Sequence, residues 1–248
     1  MDVLVFRLYG AMASWGEAAV GGDRPSACYP SRSAILGLIG AALGIQRDDT
    51  DQLQALQQSL SVGVKQYRSG TLLRDYHTSQ VPSQNKKQQW FTRKDELSQM
   101  ELNTVLSTRD YRSEGLWTVA IWVEEGSDCT LENILNYLLR PVFTLFLGRK
   151  NCPLAIPLSP TLIKGTDLKS ALDKDFPPIL FDAQQDRLWL SNDSIVTYYW
   201  QGEKALMFLP ENRVTAVQTL SRWDEPLDRK HWQFGPRFEH QVSLREEG

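Results

Sequence analysis

Residues 31–45 read SRSAILGLIGAALGI, and this stretch decides the fold. Its apolar residues recur at i, i+3, i+4 and i+7, which is typical of a helix with one buried face. Ser31 or Ser33 is expected to cap its start, and Gly44 stands where a left-handed cap would end it. Gly37 and Gly40 each cost about 1 kcal/mol of helix propensity, so we expect a backbone or another helix to approach there.

Outward from this helix, apolar runs, caps and breakers alternate along the first 150 residues. The mostly apolar run Val3–Tyr9 before it predicts a central strand that is buried on both sides. After α-helical residues 31–45 we predict a helix capped by Asp49 or Thr50, then paired strands at Val62–Val64 and Thr71–Leu73 across a Tyr67–Gly70 turn. The long polar stretch Thr78–Asp110 is predicted to be a functional loop or a projecting hairpin. A strand Leu116–Val123, a helix from Thr130 to Pro141 and a last apolar run Val142–Leu147 follow it.

This order is β-α-β-β-(insertion)-β-α-β, a variant of the ferredoxin-like split βαβ architecture that RRM modules share. We therefore predict an α+β protein with an RRM-like domain over residues 1–157, including an insertion over about 78–112. Residues 158–248 are predicted to form a smaller β-rich region. Its strand candidates are Leu188–Leu190, Ser194–Trp200 and Ala205–Leu209.

Composition excludes several classes of protein. The 248 residues are 42% hydrophobic and 23% charged, with a net charge of -3, so neither disorder nor a globally basic nucleic-acid binder is indicated. Cys28, Cys129 and Cys152 are far apart, which argues against a disulfide framework or a zinc knuckle. The longest apolar run, Ala34–Ile45, is shorter than the roughly 20 residues that span a bilayer. We expect a cytoplasmic protein with no membrane partner.

Local charge is more informative than net charge. Residues 65–94 hold seven basic side chains and one acidic side chain, a local charge of +6, so the remaining residues sum to −9. Aromatic residues lie among and just after these cations: Tyr67, Tyr76, Trp90, Phe91 and Tyr111. Phosphate contacts combined with stacking on aromatic rings are typical of single-stranded RNA binding. A solvated basic loop is the alternative interpretation.

Two further clusters carry the same chemistry. Gly148 with Arg149 and Lys150 follows an apolar run, and such a turn can form an anion-binding nest, although an ordinary strand end is the alternative. The loop at Trp15 precedes a second group of cations, and in the alternative interpretation Trp15 simply fills the core. Signals for catalysis are weak, because nucleotide, hydrolase and zinc-protease motifs are absent and only His77, beside Arg74 and Tyr76, has a suggestive setting. We predict no catalytic residue, metal or cofactor.

Four motifs in register carry a family resemblance. They are GAMASWG at residues 10–16, RP at 24–25 with PSRS running into LGLIGAALGI at 30–45, LRDYHT at 73–78, and FLGRKNCPL at 146–154. In this order and spacing they resemble the CasD family, the fifth-type RAMP subunit of the type I-E CRISPR surveillance complex, Cascade. The similarity extends from the first strand to about Pro157 and fades after Leu158.

The resemblance implies an RRM-like fold with a thumb-like hairpin. It implies a non-catalytic subunit that binds the 5′ handle of the CRISPR RNA and caps the backbone filament, in defence against foreign DNA. Its partners would be the CRISPR RNA, the CasC backbone subunit nearest the handle and the large subunit CasA, with target DNA contacted only indirectly. Two alternatives stay open: a metal-independent endoribonuclease that processes repeat RNA, with His77 as acid or base assisted by Tyr76 and a lysine, and a purely structural adaptor.

The resemblance also implies a set of handle-contacting residues, to which Arg109 and Arg112 are added on charge alone. The set is Ser14, Trp15, Gly16, Arg24, Arg32, His77, Arg109, Arg112, Phe146, Gly148, Arg149 and Lys150. The sequence departs from the family where Phe146 replaces a frequent tyrosine, and where Lys150 and Asn151 replace arginine and serine. Lysine lacks the bidentate fork of arginine, so a planar phosphate clamp would depend on Arg149.

Overall fold

The fold is described from a computed structural model of the chain. It describes residues 1–245 except 18, 20, 84–88, 99–100, 125, 128, 190–194, 208–216, 229–230 and 232. Lys86 and Lys87, which contribute to the basic segment of the sequence, lie outside the described residues.

Thirteen strands and six α-helices are described. The strands are β1 (Val3–Tyr9), β2 (Met12–Ala13), β3 (Trp15–Gly16), β4 (Asp23–Arg24), β5 (Ser26–Ala27), β6 (Leu60–Arg68), β7 (Thr71–Pro82), β8 (Leu102–Ser113), β9 (Leu116–Val123), β10 (Thr161–Ile163), β11 (Ile195–Trp200), β12 (Gln218–Asp228) and β13 (Gln233–Arg245). The helices are α1 (Arg32–Leu43), α2 (Thr50–Ser59), α3 (Arg93–Leu97), α4 (Leu131–Leu139), α5 (Leu168–Leu172) and α6 (Ala183–Trp189).

A seven-stranded antiparallel sheet in the order β10-β1-β9-β6-β11-β13-β12 forms the body. Its first four strands, with α1 and α4, have the ferredoxin-like order, which confirms the predicted fold class. One core lies between the sheet and these two helices, and includes Phe6, Ile35 and Ile134. A second core on the opposite face packs Val5 and Trp122 against α5. Strand β1 is therefore buried on both sides, as predicted.

Helix α1 forms where local signals predict it. Ser31 is the N-cap, and its hydroxyl accepts a hydrogen bond from the backbone N–H of Ala34. Gly44 ends the helix in the left-handed conformation, with φ at 79°. A Cβ built on Gly40 would lie 3.7 Å from Leu56 of α2, so a second helix does approach this glycine. Burial of each large side chain on its inner face contributes roughly 1.5–3 kcal/mol.

Two predicted strands behave differently from expectation. Strand β6 pairs with β9 and β11, and not with β7. Val62 and Val64 of β6 are buried in the core beside Ile121 and Val119 of β9, whereas the first half of β7 is exposed. The run Val142–Leu147 forms no strand of the sheet.

The backbone of the run Val142–Leu147 forms hydrogen bonds with the C-terminal end of α1. The N–H groups of Val142 and Phe143 donate to the carbonyls of Ala42 and Ala41, at the C-terminal end of α1. The Ala41 carbonyl also accepts from the N–H of Gly44, so the run joins the C-cap residue in satisfying the last carbonyls of α1 and does not join the sheet. The fourth strand of the ferredoxin-like unit is β10, which pairs with β1.

The polar stretch is a projecting hairpin of β7 and β8, whose pairing begins at Thr71 and Ser113, earlier than the expected start at residue 78. Strands β2 and β4 pair with β8 near its base.

The main sheet continues across the predicted domain boundary between residues 157 and 158. Strands β10, β11, β12 and β13, which follow this boundary in the chain, belong to the same sheet as β1.

In the C-terminal region the strand β11 is confirmed over the described residues. The candidate at 188–190 is wrong, because Leu188 and Trp189 belong to α6, and Leu190 is outside the described residues. Ala205 and Leu206 lie in a 3-10 helix, Lys204–Leu206, while residues 208–209 are not described. No helix in the described ranges combines the length and hydrophobicity needed to cross a membrane.

Candidate RNA interface

The glycine turn at residues 146–150 is packed directly on the loop after β2. Gly148 has φ at 85°, and a Cβ built on it would lie 1.8 Å from the carbonyl oxygen of Ser14. The N–H of Ser14 donates to the carbonyl of Leu147 at 2.9 Å, which joins the two segments. Glycine is required here both for the backbone conformation and for the close approach.

The loop at residues 14–16 has mixed roles. The Ser14 side chain is buried, and its hydroxyl donates to the carbonyl of Asp110 at 3.0 Å. Trp15 is 1% exposed and packs edge-to-face on Trp117, with ring centroids 5.2 Å apart. The structure therefore favours the core-filling interpretation of Trp15, and of these three residues only Gly16 is exposed.

Five cations lie near the base of the hairpin, and we call them the basic ledge: Arg24, Arg109, Arg112, Arg149 and Lys150. Arg109 and Arg112 are three positions apart on β8, so their side chains point to opposite faces of that strand. Arg24 and Arg109 are register partners on β4 and β8. Arg149 donates to the carbonyls of Arg24 and Asp110, at 3.1 and 3.3 Å. Arg112 donates to the carbonyls of Ser26 and Ala27. Arg24, Arg109 and Lys150 are exposed, while Arg112 and Arg149 are half-buried.

One carboxylate lies beneath this ledge. Asp110 is buried and accepts two hydrogen bonds from the guanidinium of Arg74, at 2.8 and 3.0 Å. These hydrogen bonds lower the pKa of Asp110, and the positive charges of Arg112 and Arg149 add to the effect. Asp110 therefore stays ionised and holds the hairpin base together, while the exposed cations remain available for a ligand.

Arg149 is held in one orientation by an aromatic ring. Its guanidinium lies over the ring of Tyr111, 4.8 Å from the centroid. The Tyr111 hydroxyl in turn accepts a hydrogen bond from the Asn151 side chain at 3.1 Å. In the sequence Tyr111 stands among possible stacking residues, but it is 5% exposed and supports Arg149 from below. The role of Asn151 was missed, and only its position beside Lys150 hinted at it.

An apolar cleft of about 460 Å³ opens beside the ledge. Five residues of the predicted set line it, together with Gly37, Leu38 and Ala41 of α1: Ser14, Gly16, Phe146, Gly148 and Arg149. Phe146 is half-buried. A cleft with an apolar floor and a cation at its rim suits an unstacked base with its phosphate outside.

Arg32 does not belong to this surface, although it was predicted to contact RNA. It is 7% exposed and pairs with Glu225 at 2.9 Å. Its remaining donors reach the carbonyls of Leu60 and Gln57 and the side chain of Gln201. With its guanidinium engaged inside the protein, Arg32 is a structural residue.

His77 is half-buried on β7 opposite Ser107, two residue pairs beyond the pair of Asp75 and Arg109. Successive side chains of a strand point to opposite faces, so Tyr76 and His77 do not share a site. The acid–base arrangement proposed for cleavage therefore lacks support in the geometry. Lys65 is also removed from the surface, because it is buried and paired with Asp173 at 2.7 Å. Within the described ranges, no group of three His, Cys, Asp or Glu side chains could hold a metal ion.

A ferredoxin-like sheet with a projecting hairpin and a basic ledge at its base is the architecture to compare with known proteins. The chain belongs to the CRISPR-associated protein (Cas_Cas5) family, whose model matches residues 3–239. It is 36% identical over 177 residues to the CRISPR system Cascade subunit CasD of Escherichia coli (strain K12), covering 68% of this chain and 75% of that protein. The family resemblance seen in the sequence is thereby confirmed.

Solved structures agree on the fold. A chain of a CRISPR RNA-guided surveillance complex superposes with a TM-score of 0.63 at 24% identity, over 99% of this chain and 90% of that one. A crystal structure of a Cas protein superposes with a TM-score of 0.60 at 21% identity, over 98% of this chain and 95% of that one. At these identities the likeness shows the fold alone.

Proposed function

We propose that this chain is a non-catalytic subunit of a Cascade-type CRISPR surveillance complex that binds the 5′ handle of the CRISPR RNA and caps the backbone filament. Its partners are the CRISPR RNA, a CasC backbone subunit and the large subunit CasA, and it meets target DNA only indirectly. The 36% identity to a Cascade subunit supports membership of such a complex.

The observation that carries RNA binding is the basic ledge. Its cations come from separate stretches of sequence, yet the packing of Gly148 on Ser14 and the pairing of β4 with β8 bring their backbones to the base of the hairpin. Of the basic residues counted at 65–94, Arg74 lies on the hairpin beside this base, and it is bound to Asp110. The handle phosphates would follow the ledge while a base enters the adjacent cleft.

The test compares two exposed ledge cations with an exposed lysine elsewhere. Arg109→Ala and Lys150→Ala should each weaken binding of a repeat-derived 5′ handle RNA, measured by filter binding from 50 to 300 mM salt. For single strands, removing one phosphate interaction should flatten the log–log salt slope by about 0.7. Lys164→Ala, an exposed change far along the chain, is the matched control and should leave affinity and slope unaltered.

If both ledge variants bind the handle RNA with the affinity and salt slope of the wild type, the ledge is not the RNA site. Nuclease footprinting of the assembled complex supplies the second measurement. The proposal requires the first nucleotides of the RNA to be protected in the presence of this subunit and exposed in its absence. If the first nucleotides are equally protected with and without this subunit, other subunits bind the handle, and the chain is a structural adaptor.

A further inference from the structure

Arg7 on β1 is buried, and its guanidinium is only partly satisfied by hydrogen bonds. It is 7% exposed, and within the described residues it forms no ion pair. One terminal nitrogen donates to the carbonyl of Pro177, while Nε has no hydrogen-bond partner. Burial lowers the pKa of Arg7. A buried charge with unmet donors is costly in a folded protein, so its retention here points to a ligand.

This arginine lines a cavity of about 300 Å³ that contains none of the basic ledge. Arg7 and Thr118 are register partners on β1 and β9, the two central strands of the ferredoxin-like unit. The remaining lining residues are Tyr67, Leu116, Lys174, Asp175, Phe176, Pro177, Ile179 and Asp186. Since Val5 on the same side of β1 packs on α5, the cavity opens on the face opposite α1 and α4.

A second cation reaches the same place. Lys174 donates to the carbonyl of Asp175, and it forms no ion pair in the part of the chain that the structure describes. The guanidinium of Arg7 and the ammonium of Lys174 lie 5.6 and 5.0 Å from the centroid of one ring, that of Phe176. Both cations therefore lie beside the same aromatic ring in the wall of the cavity.

Asp186 lies near enough to Arg7 for its charge to oppose the effect of burial on the pKa of Arg7, but the described residues show no direct ion pair between them. Both carboxylate oxygens of Asp186 accept backbone N–H groups, from Ile179 and Leu180, at 2.7 Å each. Asp175 is exposed at the rim. The cavity thus contains two cations that form no direct ion pair among the described residues, and its walls include the apolar Leu116 and Pro177.

We propose that this cavity binds a nucleotide, with its phosphate between Arg7 and Lys174. Arginine presents a fork of donors that matches phosphate oxygens, and the apolar walls suit the sugar and base. Single-stranded RNA is commonly read on the central strands of RRM-like sheets, which is where Arg7 and Thr118 lie. The nucleotide comes either from a free mononucleotide or from a single-stranded chain, since the phosphate chemistry is shared. This site is independent of the handle-binding proposal.

The test is calorimetric titration of the full chain with adenosine 5′-monophosphate, adenosine and a 5′-phosphorylated adenosine trinucleotide. The monophosphate should bind, and Lys174→Gln and Arg7→Met should each weaken it at least tenfold, about 1.4 kcal/mol. Lys164→Gln changes the net charge equally outside the cavity and should bind as the wild type does. Because Arg7→Met alters a buried position, Lys174→Gln, which is only half-buried, keeps the test valid if Arg7→Met fails to fold.

The titrations also separate the sources of the ligand and the two binding sites. A trinucleotide that binds more tightly than the monophosphate identifies a single-stranded chain as the ligand, and equal affinity identifies a free nucleotide. Adenosine binding as tightly as its monophosphate, or unchanged binding in Lys174→Gln, would overturn the proposal. Arg149→Ala should leave these titrations unaltered, so a failure of handle binding and a failure of this site give different results.

Discussion

At the scale of single residues, the site depends on a glycine more than on any cation. Gly148 combines a left-handed backbone with a position against the carbonyl of Ser14 that no Cβ can occupy. Arg149 and Lys150, which follow directly in the chain, reach the base of the hairpin only if this packing is kept. The charged side chains next to Gly148 therefore depend on this glycine for their position.

Gly148→Ala should lower the free energy of unfolding by at least about 2 kcal/mol, the combined cost of backbone strain and a steric clash. Chemical denaturation measures this change, and handle RNA binding should fall with it because the ledge is displaced. Gly165→Ala is the matched control. Gly165 also has a positive φ, 63°, but a Cβ there meets nothing within 4 Å, so only the conformational cost applies. Equal destabilisation in the two variants would show that the packing against Ser14 is unimportant.

Sequence patterns indicated the residues of the glycine turn but not which cations are free. Gly148, Arg149 and Lys150 are contiguous, so their chemistry is visible without a structure. Arg32 has the same charge, but its partner Glu225 is 193 residues away. No local sequence pattern around Arg32 predicts its pairing with Glu225. The exposure of a charged residue therefore could not be predicted from its type.

At the scale of elements, local signals predicted helices better than strand partners. Ser31, Asp49 and Thr130 cap the three helices that the sequence placed after them. A cap acts within three residues of itself, whereas a strand partner is selected by burial across the whole fold. Strand β6 pairs with β11 and β9, and the sequence suggested neither partner. The run at Val142–Leu147 had strand composition, yet it caps α1.

The hairpin of β12 and β13 is fastened to α1 by a buried ionic network. Arg237 binds Asp224 and Glu239, and the backbone N–H of Arg32 donates to Asp224 while its side chain pairs with Glu225. These interactions join the C-terminal strands to the first helix of the chain. They explain why residues 158–248 form no detached unit and complete the same sheet.

Arg32→Ala should therefore destabilise the protein without changing its interaction with RNA. Removing one partner of a buried pair costs about 3 kcal/mol, because Glu225 loses its ion-pair partner and the carbonyls of Leu60 and Gln57 lose the donor that Arg32 supplies. Denaturant unfolding tests the first part, with exposed Arg140→Ala as the control of equal charge change. The salt slope of handle RNA binding, measured on folded protein, should equal that of the wild type. A flattened slope in Arg32→Ala would show that Arg32 contacts RNA.

At the scale of the whole molecule, a folded body carries a projecting arm. The two buried cores are built from the seven-stranded sheet and its helices, and neither contains any of the described residues between 79 and 105. The outer hairpin instead exposes apolar side chains, including Tyr76, Val105 and Leu106, each at least half exposed. Such residues on a two-stranded arm indicate a surface that a partner covers, and they contribute little to the stability of the body.

Excision of residues 79–105, with Thr78 and Leu106 joined through Asn-Gly, should separate these two parts. Thr78 and Leu106 are register partners, and a two-residue Asn-Gly turn suits such a pair. Because β2 and β4 still pair with β8, the free energy of unfolding should change by less than about 1 kcal/mol, and isolated handle RNA should still bind the ledge. Incorporation into the complex, measured by co-purification with tagged partner subunits, should be abolished. Normal incorporation of the shortened chain would exclude the arm as an interface with neighbouring subunits, and a collapse of cooperative unfolding would show instead that the body needs the arm.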